Sequence, residues 1–218
     1  MADYSNFNWG PTSEDFRFTV QREYNEYNVY EKHFEVEKGD IVVDIGASVG
    51  DFLWSIKDKN PKHCWAVEPL KSYYKVLLSN FYGRPVSFIN AAITNQKKIE
   101  IRWDNIIENP KTLMFSELIE DYSIEQIDFM KIDCEGGEYD IFTDENSGFL
   151  QSVKKIVIEF HLDTLETKLQ FRRFRDSMIP KFKKVVVNSV DGIDISWDLY
   201  NEHFLEYYNQ VIVYIDNR

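Results

Sequence analysis

The stretch "VVDIGASVGDF", residues 42–52, joins an apolar run to a helical pattern through a short turn that contains two glycines. The apolar run, residues 41–45, is nearly continuous in Val and Ile, which is typical of a strand buried on both faces of a parallel sheet. Apolar residues then recur with the spacing of one helix face, at Val49, Phe52, Leu53 and Ile56. The loop between strand and helix is either a cofactor loop or a plain tight turn.

The same alternation of strands and helices continues outward from this stretch. Apolar or alternating runs predict further strands at 64–67, 86–89, 97–103, 127–132, 155–160, 184–187 and 210–215. Helical spacing predicts helices at 49–56, 70–81, 116–122 and 162–169. Repeated strand–helix units along one chain indicate an α/β fold with a doubly wound, mostly parallel sheet. We expect a single domain over residues 1–218, in which residues 1–34 form a loosely packed N-terminal arm or helix.

The chain is acidic, because 25 Lys and Arg against 37 Asp and Glu give a net charge of −12 in 218 residues. Nucleic-acid binding depends on Lys and Arg that displace counterions, so a nucleic-acid partner is disfavoured, and so is an anionic membrane. The sequence has no apolar run of about 20 residues for a spanning helix and no secretory-signal pattern at its start. Cys64 and Cys134 are expected to be buried, reduced thiols of a cytoplasmic protein.

The loop after the first predicted strand does not fit a pyrophosphate. A dinucleotide-binding loop needs glycines at relative positions 1, 3 and 6, where this chain has Gly46, Ser48 and Asp51. An acid at the last position would also repel a pyrophosphate at the helix N-terminus. These mismatches argue against a nicotinamide dinucleotide, although Gly46 still lets a ligand approach the backbone closely.

The next two strand ends favour a nucleoside without phosphate. Glu68 ends the second predicted strand, 24 residues after Asp44, and an acid near this position suits two ribose hydroxyls. Asn90 and Ala91 follow the third strand, where a polar and a small side chain suit adenine, although a plain strand-to-loop junction explains them equally well. S-adenosylmethionine has a ribose and an adenine, and its ammonium group would be attracted by Asp44. We therefore expect S-adenosylmethionine as the cofactor.

Acids and a histidine end the fourth and fifth predicted strands. Asp133 and Glu135 flank a cysteine in "KIDCEGGEYDIF", residues 131–142, and two acids at the mouth of a sheet are costly unless they are partnered or functional. By alternation, Glu159 and His161 lie on one side of the next strand. A histidine beside acids at a cleft is a candidate general base, and a structural histidine is an equal alternative.

With these residues assembled, the chain resembles the FkbM family of S-adenosylmethionine-dependent methyltransferases. The matching stretches occur in family order between residues 30 and 162: "GDIVVDIGASVGDF" (39–52), "WAVEPLKSYYKVLLSN" (65–80), "FINAAIT" (88–94), "FSELIED" (115–121), "IDFMKIDCEGGEYDIF" (127–142) and "IVIEFH" (156–161). The most specific is "DFMKIDCEGGEYDIF", which resembles the family's signature of Asp-Phe, Lys-Ile-Asp and Glu-Gly-x-Glu. Ser48, Cys134 and Gly137 depart from the residues that are usual at their positions.

The resemblance implies a class I methyltransferase fold, which is a Rossmann-like seven-stranded sheet with helices on both faces and an antiparallel terminal strand. It also implies methyl transfer to oxygen, commonly to a sugar or polyketide hydroxyl. By position, it assigns the cofactor site to Asp44, Gly46, Ala47, Ser48, Gly50, Glu68, Asn90, Ala91 and Asp133. Asp133 and Glu135 match the signature near the transferred methyl group.

The expected reaction is direct displacement at the sulfonium methyl by a hydroxyl of a glycan or another small molecule, with much of the rate supplied by in-line positioning. His161 or Asp133 is the expected base, and Glu135 and Glu159 are expected to orient the substrate or the base. No metal site is predicted, although a divalent ion between Asp133 and Glu159 is chemically compatible with carboxylate ligands.

Two alternatives remain open at this point. The first is an NAD-dependent oxidoreductase on a similar sheet, which the missing glycines oppose. The second is a non-catalytic binding module that uses a Tyr-rich surface, such as residues 24–30 or 203–210, although such residues more commonly pack in a core or an interface.

Overall fold

The computed structural model describes residues 2–103 and 106–218. Its strands are β1 Ile41–Ile45, β2 His63–Val67, β3 Val86–Ile89, β4 Ala92–Ile93, β5 Ile101–Trp103, β6 Ile106–Glu108, β7 Thr112–Leu113, β8 Phe129–Ile132, β9 Lys155–His161, β10 Lys184–Ser189 and β11 Gln210–Asp216. Its α-helices are α1 Glu14–Arg22, α2 Asp51–Ile56, α3 Lys71–Asn80, α4 Phe115–Asp121, α5 Glu138–Ile141, α6 Ser147–Ser152, α7 Leu165–Arg173 and α8 Phe204–Tyr207. Wider π turns extend α1 through Glu23–Tyr27 and α7 through Phe174–Met178.

Seven strands form the main sheet in the order β10–β11–β9–β8–β1–β2–β3. Strand β11 runs antiparallel to both of its neighbours, and the other neighbouring pairs are parallel. The strand order reverses at β1, because the chain first adds β2 on one side of β1 and later adds β8 on the other. Ligands of such sheets bind outside the carboxyl ends of the strands at this reversal. The predicted seven-stranded sheet with an antiparallel terminal strand is confirmed.

The core lies on both faces of the central strands, as the continuous apolar runs predict. Val42 packs on one face with Phe52 of α2 and Phe129 of β8. The rings of Phe52 and Phe129 are stacked, with their centroids 5.7 Å apart. Val43 and Met130 belong to the cluster on the opposite face. This burial fixes β1 and β8 side by side, and so fixes the loops that leave their carboxyl ends.

The clearest difference from the sequence prediction is in residues 97–103, which were expected to form one half-exposed strand. Only Ile101–Trp103 is a strand, and it pairs antiparallel with β6 outside the main sheet. A second small sheet pairs β4 with β7 in parallel and was not predicted. Strands of two or three residues are too short to show a periodicity, so sequence patterns do not identify them.

The N-terminal segment, predicted to be a loosely packed arm or helix, contributes several buried side chains and one helix. Tyr4 and Phe7 are buried, and the Phe7 and Trp54 ring centroids are 5.1 Å apart. Helix α1 begins after Ser13, whose side chain accepts a hydrogen bond from the backbone N–H of Phe16. Further along, Tyr30 is almost fully buried. The segment that precedes β1 is therefore part of the core.

Two further predictions concern the cysteines and membrane-spanning helices. Cys64 is a buried free thiol, and Cys134 is a partly buried free thiol. Over residues 2–103 and 106–218, every helix is too short or too polar to cross a membrane.

Candidate active site

A cleft of about 660 Å³ opens at the carboxyl ends of the central strands. Its walls come from the loops after β1, β2, β3 and β8, from β9, from α1 and from β5. Phe16, Tyr73 and Trp103 supply aromatic surface, and Glu23 reaches the cleft from the turn after α1. Its volume falls in the range of small-molecule sites.

The loop after β1, residues 46–50, packs closely against neighbouring segments and also contributes residues to the cleft wall. Gly46 has a φ of +80°, and a Cβ built there would lie 1.7 Å from the carbonyl oxygen of Asp133. The N–H groups of Gly46 and Ala47 both donate to the carbonyl of Val67. Gly46 and Ser48 line the cleft, whereas Ala47 and Gly50 are absent from its walls. Gly50 instead accommodates the Phe81 ring, 2.4 Å from the Cβ that another residue would carry there.

Glu68 lines the cleft at the end of β2. Its two carboxylate oxygens accept backbone hydrogen bonds from Ser48 at 2.9 Å and Leu70 at 2.7 Å. Burial raises the pKa of Glu68 to about 8, although these N–H groups and the charge of Lys131 lower it. Glu68, predicted to bind the ribose, therefore lies in the wall of the cleft.

Asp44 lies deeper than expected. Its side chain is fully buried, lies outside the walls of the cleft, and has its Oδ1 3.4 Å from Lys131 Nζ. Burial raises the pKa of Asp44 to about 6 against the opposing charge of Lys131. Lys131 also donates to the carbonyl of Gly46 at 2.8 Å and lies 3.5 Å from Asp133. Lys131 thus connects the loop after β1 to the end of β8, a role that sequence reasoning missed.

Asp51 is the acid of the first loop that reaches the cleft. It is buried, and its Oδ2 accepts a hydrogen bond from the Tyr24 hydroxyl at 2.9 Å. Its Oδ1 and the hydroxyl of Ser48 have no hydrogen-bond partner in the described part of the chain. A buried polar atom without a partner is costly, so this end of the cleft suits a polar, positively charged ligand group.

Asn90 and Ala91, the two residues after β3, make different contacts. The Asn90 side chain donates to the carbonyls of Glu68 and Pro69 at 2.8 and 2.9 Å, which holds the loop after β2. Ala91 lines the cleft. Ala91 is fully buried, whereas the Asn90 side chain remains partly exposed.

Three further acids line the cleft where β8 and β9 end, Asp133, Glu135 and Glu159. The Tyr30 hydroxyl lies 2.9 Å from Asp133 Oδ2 and 2.7 Å from Glu159 Oε2. A hydroxyl donates one hydrogen, so the second short contact requires a proton on a carboxyl group. Burial, with the nearby charge of Asp133, raises the pKa of Glu159 well above its usual value. Tyr30 is a second site residue that the sequence analysis did not identify.

His161, at the end of β9, lies between two carboxylates and outside the cleft walls. Its Nε2 is 3.2 Å from Glu135 Oε2, and its Nδ1 is 3.4 Å from Glu138 Oε1. Burial lowers the pKa of His161. The hydrogen bond to Glu138 and the charge of Glu135 have the larger, opposite effect and raise this pKa to about 10. The carboxylates therefore create a strongly negative potential around the ring.

Known proteins share this arrangement. The strand order, the antiparallel β11 and the cleft at the β1 end define the class I methyltransferase fold. The sequence profile of the Methyltransferase FkbM domain matches residues 44–184. The chain therefore belongs to the FkbM methyltransferase family, and membership implies S-adenosylmethionine as its cofactor.

Solved structures support the fold alone, because their sequence identity is low. Fibrillarin from Aeropyrum pernix, determined with S-adenosyl-L-methionine, is 14% identical, with 82% of this chain and 67% of that chain covered at a TM-score of 0.50. A putative hemolysin from Lactococcus lactis is 12% identical, with 93% and 88% covered at a TM-score of 0.50. A search of curated proteins finds no matching sequence.

Proposed function

We propose that this methyltransferase transfers the methyl group of S-adenosylmethionine to a hydroxyl oxygen of a sugar, a glycan or another small molecule. The observation that carries the proposal is the polarity of the cleft. At one end, Ser48, Glu68 and Ala91 line it with features that suit a nucleoside. At the other end, Asp133 and Glu159 can orient a hydroxyl.

The cofactor end fits S-adenosylmethionine better than a dinucleotide. Asp51 lines this end with a buried oxygen that has no partner in residues 2–103 and 106–218, and this oxygen suits an ammonium group. The same carboxylate would repel a pyrophosphate. Glu68 would accept the ribose hydroxyls, and Ala91 would face the adenine. We propose that the other predicted cofactor residues do not contact the cofactor and instead hold the loops that do. These residues are Asp44, Ala47, Gly50 and Asn90.

The bound cofactor supplies an activated methyl group, and the residues of the acceptor end provide orientation and a proton acceptor. We propose Asp133 as the candidate base, because it lines the cleft. His161, the alternative from the sequence, lies outside the cleft walls, and its raised pKa keeps the free ring protonated at neutral pH. Tyr30 and Lys131 hold the Asp133 carboxylate in place. Glu135 and Glu159 would orient the acceptor.

Calorimetry with S-adenosylhomocysteine tests the cofactor end. Wild type should bind one molecule per chain, and Glu68→Ala and Asp51→Asn should weaken binding by about tenfold or more, the usual effect of losing a hydrogen bond to a charged group. Glu100→Gln is a matched control, since Glu100 is an exposed acid of the same cleft whose carboxylate pairs with Arg102. Absence of binding to wild type, or tight binding of a nicotinamide dinucleotide, would overturn the proposal.

Methyl transfer itself requires an acceptor screen. The chain is incubated with labelled S-adenosylmethionine and a panel of hydroxylated sugars and glycans, and the labelled product is examined by NMR for an O-methyl or N-methyl group. We expect an O-methyl product, with turnover lost in Asp133→Asn. A labelled product that carries only N-methyl groups contradicts the oxygen assignment.

We also propose that residues 1–218 form one domain that acts in the cytoplasm. The N-terminal segment supports a single domain, because Tyr30 contacts residues at the ends of β8 and β9. The free thiols of Cys64 and Cys134 support a reducing compartment.

A further inference from the structure

The ends of β8 and β9 bring three metal-binding types of side chain together. Asp133 follows β8, Glu135 lies two residues further on, and His161 ends β9. One potential ligand atom from each of these residues lies within 4.8 Å of the others. Two ligands of one ion with bonds of about 2.1 Å lie roughly 3 to 4.2 Å apart, so small side-chain rotations suffice to close the set around an ion.

The histidine is held as metal-binding histidines are held. Glu138 is fully buried, and its carboxylate accepts backbone hydrogen bonds from Cys134 at 3.0 Å and Gly136 at 2.9 Å. The same carboxylate lies 3.4 Å from His161 Nδ1. A carboxylate on one ring nitrogen fixes the imidazole and directs the other nitrogen toward the metal. Here the other nitrogen, Nε2, faces Glu135 at 3.2 Å.

The charge of the cleft also favours a second cation besides the cofactor. Asp133 and Glu135 line this part of the cleft, beside Glu23 and the proton-bearing Glu159. Lys131 is the cation beside Asp133, and its amino group is shared between Asp44 and Asp133 at 3.4 and 3.5 Å. Like charges in a partly buried cleft repel one another unless a cation or protons compensate them.

From this geometry we propose that Asp133, Glu135 and His161 bind one divalent first-row transition-metal ion, with Mn²⁺ as the representative. Two carboxylate oxygens and one imidazole nitrogen suit such an ion, whereas Mg²⁺ and Ca²⁺ prefer oxygen ligands alone. Oδ2 of Asp133 faces Tyr30 and Lys131, so we assign Oδ1 to the ion. Three protein ligands at an open cleft leave further positions for water or an acceptor oxygen. The inference rests on the proposed function only in placing the acceptor at this end.

The test is calorimetric titration of the chelator-treated full chain with MnCl₂. We expect one site per chain, and we expect His161→Ala and Glu135→Gln to weaken it at least about tenfold. Glu138→Gln changes the carboxylate that holds His161, and it should weaken Mn²⁺ binding by about 10- to 100-fold. Glu135 is half-exposed, so its substitution leaves the fold intact and separates metal loss from misfolding.

His203→Ala is the matched control. His203 also lies between two carboxylates, 3.1 Å from Glu206 and 3.4 Å from Glu202, but on the exposed surface. We expect this variant to bind Mn²⁺ as wild type does. No Mn²⁺ binding, equal binding by Glu135→Gln, or Mg²⁺ binding that is as tight and indifferent to His161→Ala would overturn the proposal.

S-adenosylhomocysteine binding, measured on the same metal-free protein, separates the two proposals. If the cofactor product binds and Mn²⁺ does not, only the metal inference fails. If Mn²⁺ binds and S-adenosylhomocysteine does not, the proposed function fails and the metal site stands.

Discussion

At the residue scale, the site follows from a few side chains whose surroundings change their chemistry. Glu68 and Asp51 are both acids beside the first loop, yet Glu68 is held by two backbone N–H groups, whereas one oxygen of Asp51 has no partner in the described residues. The sequence identified Glu68 from its position after a strand. It predicted from charge that Asp44 attracts the ammonium group, and this remains a prediction. The burial of Asp44 beside Lys131 could not be predicted, because it depends on strand pairing that no local pattern reveals.

The titration of Glu68 predicts a pH-dependent cofactor affinity. With a pKa of about 8, Glu68 is mostly protonated at pH 6.5, and only its ionised form accepts both ribose hydrogen bonds. The ionised fraction falls about tenfold for each pH unit below the pKa, so S-adenosylhomocysteine should bind about tenfold or more tightly at pH 8.5 than at pH 6.5. Calorimetry at the two pH values measures this. Glu68→Gln should lose the dependence, and a flat wild-type profile contradicts it.

The packing of Gly46 predicts a large stability loss on substitution. Gly46→Ala combines a left-handed φ of +80° with a Cβ 1.7 Å from a backbone oxygen. We expect the free energy of unfolding to fall by about 3 kcal/mol or more. Gly83→Ala is the control, since Gly83 has a φ of +77° and nothing within 4 Å of its added Cβ. Its cost should be about 1 kcal/mol in the same urea titration. Equal losses would show that the close contact relaxes freely.

At the element scale, long apolar runs were predictable and short or irregular elements were not. Strands β1, β8 and β9 are buried on both faces, so their sequences carry a signal that periodicity detects. The pairs β4–β7 and β5–β6 are held by two or three residues each. Tyr30 was missed for a related reason. It lies in a single 3₁₀ turn, Val29–Glu31, and its partners are 103 and 129 residues away in sequence.

The N-terminal element should affect both stability and cofactor binding. Phe7 is 6% exposed and packs against Trp54, while helix α1 places Val20 in the cleft wall. Phe7→Ala should lower the free energy of unfolding by about 3 kcal/mol and weaken S-adenosylhomocysteine binding, because a loosened segment leaves the cleft more open. Phe18→Ala, at a side chain that is 64% exposed, is the control. Stability loss without any change in cofactor affinity would show that the segment does not help to form the site.

At the scale of the whole molecule, the net charge of the chain bears on which acceptors it can attract. The net charge of −12 and the acids around the cleft oppose a polyphosphate. This balance was readable from composition, because it needs no knowledge of the fold. The clustering of those acids at one end of the cleft was not, since it depends on which strands are neighbours.

This charge predicts a preference among acceptors. Phosphorylated sugars and RNA oligonucleotides should bind more weakly than neutral sugars at low salt, and added salt should reduce the difference, because screening weakens repulsion. Competition binding at about 20 mM and about 200 mM NaCl measures this. Tight RNA binding that weakens as salt rises would contradict it.

The contact between Gly46 and the Asp133 carbonyl has a consequence for protein engineering. Lys131 adds a hydrogen bond to the carbonyl of Gly46, so the turn after β1 and the end of β8 are complementary in shape and in hydrogen bonding. A chimera that takes the turn after β1 from a relative, without that relative's counterpart of residues 131–134, would lose the fit between the turn and the end of β8. The two segments form one transplantable unit, although more than 80 residues separate them in the chain.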